Sequence, residues 1–93
     1  MPSIVARHLT VRGGVQGVFF RSETQQQARV HGVHGWVANR PDGTVEAWLE
    51  GPTAAVERVE SWIRSGGPPD AEVTGVEADE KEPVGHDDFE VRG

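Results

Sequence analysis

The hydrophobic period of this chain switches between two and about 3.6 residues in an order that few folds accept. Residues 4–12, IVARHLTVR, alternate as a strand does, with Val5, Leu9 and Val11 on one parity and Arg7 as the exception. Gly13-Gly14 interrupt that pattern, and SETQQQARVHG follows, rich in helix formers and ending at Gly32, a natural C-terminal cap. This predicts a helix from about Arg21 or Ser22 to His31, with Phe20, Thr24, Ala28 and His31 turned inward. Two strand-like runs, roughly 35–40 and 44–50, flank Arg40-Pro41-Asp42-Gly43, whose Pro-Asp-Gly is a turn signal. They predict a hairpin in which Trp36, Ala38, Val45, Ala47 and Leu49 mark the alternating positions. Ala55, Val56, Val59, Trp62 and Ile63 then form one helical stripe with charged residues opposite. Pro52 or Thr53 suits its first turn, and Gly66-Gly67-Pro68-Pro69 stops it. A weaker strand over about 72–79, an acidic loop to Asp88 and a short strand over 89–92 complete the chain.

As far as the strand over 72–79 the order is β-α-β-β-α-β with a central hairpin, the split-βαβ or ferredoxin-like pattern, and the short strand over 89–92 closes the chain. The expected architecture is α+β: a four-stranded antiparallel sheet with both helices on one face. The 93 residues suffice for one domain, taken as residues 1–93, and not for two independent cores.

Charge and composition remove several classes of function. The formal net charge of −6 argues against a protein that covers nucleic-acid phosphates with a basic face. The charge is uneven: residues 1–41 sum to +4 and residues 42–93 to −10. An anion site is therefore expected in the first part, where a small anion can be captured locally while a polyanion is repelled. The chain has no cysteine, which excludes disulfides, thiolate chemistry and cysteine-ligated zinc and fits a reducing compartment; a cytoplasmic location is expected. No apolar run approaches the ~20 residues of a bilayer span, and no segment reads as a signal peptide. His8, His31, His34 and His86 are scattered, with no paired spacing on one helix face, so no metal is expected. Asp87-Asp88 and Asp79-Glu80 read as a solvated rim. Trp62 belongs to the core stripe, whereas Trp48 shares the parity of Glu46 and Glu50 and is expected on the other sheet face. Each strong apolar stripe finds a partner in the sheet-and-helix core, which makes a monomer the expectation.

The stretch that bears on chemistry is Gly13-Gly14-Val15-Gln16-Gly17-Val18-Phe19-Phe20-Arg21. A loop between a strand and a helix can aim successive N–H groups inward, and the helix start adds about half a positive charge. Arg21 falls at that start, and its planar fork can hold two phosphate oxygens. Neither the Walker pattern nor G-x-G-x-x-G is present. The residues alone leave two readings open: a phosphate cradle, or a glycine-rich connection with a surface arginine.

The order and spacing of these residues add to that reading. GGVQGVFFR resembles the acylphosphatase signature, in which glycine, one variable residue, VQGV, another variable residue, Phe and Arg form the phosphate loop. A second stretch, Gly35-Trp36-Val37-Ala38-Asn39 followed by Asp42-Gly43-Thr44-Val45-Glu46, resembles the same family, as do Gly51-Pro52 before the second helix and the pair Phe89 and Arg92. The resemblance implies the ferredoxin-like fold and hydrolysis of small acyl phosphates to a carboxylate and inorganic phosphate, without metal or cofactor. It implies that Arg21 holds the phosphoryl group, that Asn39 positions the attacking water, and that the backbone of Val15, Gln16, Gly17, Val18, Phe19 and Phe20 cradles phosphate. Gly14 stands where the family is variable and commonly larger, and the adjacent glycines predict a looser loop with weaker phosphate affinity. Arg40 occupies another variable position, facing either substrate or solvent. The alternative function is a non-catalytic anion-binding or regulatory module of the same fold. No nucleic acid or membrane is expected as a partner.

Overall fold

A computed structural model describes residues 3–93. The strands are β1 (Ile4–Gly14), β2 (His34–Asn39), β3 (Val45–Pro52), β4 (Glu72–Lys81) and β5 (Phe89–Arg92), and the helices are α1 (Phe20–His31) and α2 (Thr53–Arg64). They form one sheet in the order β4-β1-β3-β2-β5. The architecture is the ferredoxin-like α+β arrangement, with five strands instead of four. The extra strand is β5, which adds parallel to the free edge of β2 while every other pairing is antiparallel. Of its two large apolar residues Phe89 is fully buried and Val91 is partly exposed, and Glu90 and Arg92 alternate to the other side, as suits a short edge strand.

Both helices cover the same face. α1 packs on β2 and β5, and α2 packs on β1, β3 and β4. Leu9, Val11, Val37, Val45, Ala47 and Leu49 meet Phe20, Ala28, Val56, Val59 and Ile63 in one closed core. In β2 the core-facing parity is Gly35 and Val37, so Trp36 and Ala38 lie on the opposite face from Val45, Ala47 and Leu49. Arg7, which broke the alternation of β1, does share the helix-side parity with Leu9. It stays there because acids surround it: Nη1 donates to Glu60 at 3.0 Å and Nε to Glu80 at 2.6 Å.

α1 ends as its sequence predicts. Gly32 takes a left-handed conformation (φ 71°), and the Val33 N–H donates to the Ala28 carbonyl at 2.7 Å. α1 begins at Phe20, one residue ahead of the expected start. Gly13 and Gly14 are not loop residues: both pair with β4, opposite Val73 and Glu72, beyond a bulge at Arg12/Gly13. The connecting loop is thereby shortened to residues 15–19, and the looseness expected of adjacent glycines is removed by the ladder.

Trp48 lies half-buried on the face away from the helices. The segment from Glu82 to Asp88 crosses that face and sets the His86 ring against the indole, 6.1 Å between centroids. Trp62 packs against Phe20 at 6.0 Å. Among the described residues no helix is long and apolar enough to cross a membrane.

Candidate active site

Strands β1 and β2 flank β3 and both run antiparallel to it, so their C-terminal ends lie at the same end of the sheet. The loop after β1 leads into α1, and Asn39 is the last residue of β2. Sheet topology thus brings the start of α1 and the end of β2 together from distant points in the sequence.

A cavity of about 400 Å³ opens there, lined by Val15, Gly17, Phe19, Phe20, Arg21, Ser22, Asn39 and Val91. Its size is at the lower end for small-molecule sites. Arg21 and Asn39 share it. Of the expected loop residues, Val15, Gly17, Phe19 and Phe20 line it; Val18 packs against the core instead, and Gln16 turns toward the β2–β3 turn. Ser22 and Val91 had no signal in the sequence as site residues. Val91 reaches the cavity only because β5 pairs with β2, opposite Val37, and it remains 42% exposed.

The main chain of the loop holds two left-handed residues. Gly17 has φ 74°, a conformation glycine adopts without strain. Phe19, the residue before α1, has φ 63°, and it is the non-glycine residue with positive φ among those described. A left-handed phenylalanine costs ~1–2 kcal/mol, and its side chain is 74% exposed at the cavity mouth. As at any α-helix start, the first N–H groups of α1 have no helical partner; the first bond of the helix is Glu23 N–H to the Phe19 carbonyl at 3.0 Å. No backbone bond uses the N–H groups of residues 16–19 among the described residues. The residues that line the cavity carry no negative charge.

Among the described residues no carboxylate lies within ion-pair reach of Arg21, although most other arginines are paired. Arg40 is one of the paired ones: its Nη1 donates to Glu46 at 2.9 Å, and it does not line the cavity. Glu46 also meets His8 Nε2 at 2.6 Å. Burial alone would raise the Glu46 carboxyl, but the bonds from His8 and Arg40 hold it below its ordinary value. The turn after Asn39 is closed by Asp42, whose carboxylate accepts the Thr44 N–H at 3.0 Å and its hydroxyl at 2.7 Å. Those two bonds lower the Asp42 carboxyl. Ser22 is the hydroxyl in the lining; it donates to the Phe19 carbonyl at 3.2 Å, and no histidine or carboxylate lines the cavity with it. Among the described residues no group of three His, Cys, Asp or Glu side chains is placed to hold a metal ion.

The chain is similar to known proteins in sequence and in fold. A family model described as Acylphosphatase matches residues 7–91. An acylphosphatase of Thermococcus kodakarensis is 51% identical over 89 residues, covering 96% of this chain and 97% of that protein. Two solved structures superpose with a TM-score of 0.91. One is an acylphosphatase from Coxiella burnetii, 36% identical, with 96% of this chain and 93% of that one covered. The other is an acylphosphatase from Bacillus subtilis, 34% identical, with 96% of this chain and 99% of that one covered.

Proposed function

Because this chain belongs to the acylphosphatase family, we propose that it hydrolyses small acyl phosphates with Arg21 and the loop N–H groups on the phosphoryl group and Asn39 on the water. The products are a carboxylate and inorganic phosphate. An acyl phosphate is a mixed anhydride whose carboxylate leaves readily, so the departing oxygen needs little acid help. What remains is to position the reactants and to neutralise phosphoryl charge. Arg21 and the N–H groups of residues 16–22 meet both needs, because they are oriented before charge redistributes.

The Asn39 amide offers one acceptor and two donors. The acceptor orients a water in line with the scissile bond, and the amide is no base. The cavity lining contains no carboxylate and no histidine. The proton of the attacking water therefore passes to a phosphate oxygen of the substrate itself. The reading rests above all on one observation: an arginine without a carboxylate partner and a carboxamide, carried by different elements, line the same cavity as Gly17 and Phe19, whose N–H groups make no backbone hydrogen bond.

The protein is read as a single domain that acts as a monomer in the cytoplasm, with no nucleic-acid or membrane partner. The −10 charge of residues 42–93 repels polyanions. The residue that most invited a partner, Trp48, is covered by His86 of its own chain.

Benzoyl phosphate hydrolysis by purified protein tests the assignment. Arg21→Ala is expected to lower kcat/KM at least ~100-fold, about 3 kcal/mol, with no rescue by lysine, which lacks the fork. Asn39→Ala is expected to lower kcat while competitive inhibition by inorganic phosphate stays unchanged. Parental turnover in either variant refutes the role given to that residue.

A further inference from the structure

Gln16 sits in the phosphate loop without lining the cavity. Its side chain reaches the β2–β3 turn and engages both amide hydrogens there. Nε2 donates to the Arg40 carbonyl at 2.8 Å and to the Thr44 carbonyl at 2.9 Å. Those two carbonyls close the turn: Arg40 O also accepts from Gly43 N–H at 3.1 Å, and Thr44 O accepts from Arg40 N–H at 2.9 Å. One side chain of the loop thus grips the turn on both of its closing groups, next to Asn39.

We propose that Gln16 is a positioning residue that sets the Asn39 carboxamide in register with the phosphate loop. The inference rests on the reading of Asn39 given above. Its physical basis is that little else joins the two parts of the site. The β1–β3 ladder ends at Val11 opposite Val45, four residues before the loop begins. No backbone hydrogen bond links residues 15–19 to residues 39–44 among those described. The covalent route between Gln16 and Arg40 is 24 residues long and runs through all of α1 and β2. The Gln16 amide is the polar link that spans this gap. In-line attack depends on the distance between a water held on one side and a phosphorus held on the other, and a misplacement near 1 Å can cost about 100-fold.

The chemistry of the link restricts what can replace it. Asparagine is one methylene short. Glutamate has no hydrogens to donate and would set a carboxylate against two carbonyl oxygens. Methionine keeps the length and removes both donors.

The test uses the parent, Gln16→Ala, Asn39→Ala and the double variant, with benzoyl phosphate turnover and inorganic phosphate inhibition measured for each. Gln16→Ala is expected to lower kcat about 10- to 100-fold. Its phosphate inhibition constant should stay within about twofold of the parent, and in the Asn39→Ala background it should change kcat by no more than about twofold. Three results overturn the role of Gln16 alone: parental turnover, weakened phosphate binding in step with the lost turnover, or a full second loss in the double variant. Parental turnover in Asn39→Ala overturns the reading of Asn39 and this role with it. Gln16→Met carries the same comparison if the alanine variant does not fold, and failure of both to fold makes Gln16 a folding determinant and ends the proposal.

Discussion

One methyl group separates glycine from alanine, and at Gly35 the sheet has no room for it. A Cβ there would run into the Trp48 carbonyl oxygen on the neighbouring strand, and the backbone has φ 139°. Gly35 also donates its N–H to the Asp88 carbonyl at 2.9 Å, at the point where β5 joins the sheet. Gly14 is the opposite case. Its φ is one that any residue adopts, and a Cβ would meet only Glu72, its Cβ at an ordinary 3.7 Å and its backbone nitrogen at 4.0 Å. Urea unfolding should therefore separate two nominally equal substitutions. Gly35→Ala is expected to cost about 3 kcal/mol or more. Gly14→Ala should stay within about 1 kcal/mol of the parent, on either side. Equal effects would show that local backbone geometry is not what these glycines supply. The glycines of the phosphate-loop stretch thus differ in purpose: Gly14 belongs to a strand that tolerates a side chain, and Gly17 shapes the cavity wall.

At the level of elements, the segment between β4 and β5 has the hardest task, since it must cross β1, β3 and β2 from one sheet edge to the other. It carries few apolar side chains, and a carboxylate holds it instead. Glu50, only 4% exposed, accepts the Val84 N–H and the Trp48 indole N–H on Oε1, both at 3.0 Å. Its Oε2 accepts the Gly85 and His86 N–H groups at 2.8 and 3.1 Å. His34 adds a contact from Nδ1 to the His86 carbonyl at 2.9 Å. A buried carboxylate is tolerated when its oxygens are met by donors in this way. Glu50→Gln turns an NH₂ group toward two of those donors whichever way the amide is flipped. The expected loss is about 2 kcal/mol or more, and hydrogen exchange at Val84, Gly85 and His86 should quicken relative to the core strands. Unchanged exchange at those three amides would mean that the crossing segment is held by something else.

At the scale of the whole molecule, acid stability draws on the carboxylates held low, among them three that are partly or fully buried. Burial would raise Glu46, Glu50 and Glu60, but hydrogen bonds outweigh it and all three lie below the ordinary value of 4.5. The donors are His8 and Arg40 for Glu46, the crossing segment and Trp48 for Glu50, and Arg64 and Arg7 for Glu60. The unfolded chain takes up protons at these groups first, so their stabilisation is complete above 4.5 and is lost as pH falls through the lower folded-state values. The urea midpoint should be level from about pH 7 to about pH 5.5 and decline below about pH 4.5, less steeply in Glu50→Gln. A midpoint that rises on acidification would contradict the argument. Much of this molecule was legible beforehand because its signals are local. Apolar period, turn residues and caps specify β1, the hairpin and both helices within a residue or two, and the spacing GGVQGVFFR marks Arg21 at the start of α1. The parity of Arg7, the pairing of Gly13-Gly14 and the exposure of Trp48 were not legible, since each depends on acids, strands or a crossing segment far away in the chain. The parallel place of the strand 89–92 beside β2, Val91 in the cavity wall and the grip of Gln16 on the turn after Asn39 belong to the same group. Short-range sterics and hydrophobic period dictated the elements and their order. Which side chains share a cavity was decided by strand pairing across the sheet, because no local signal records the partner of a four-residue edge strand or of a single amide.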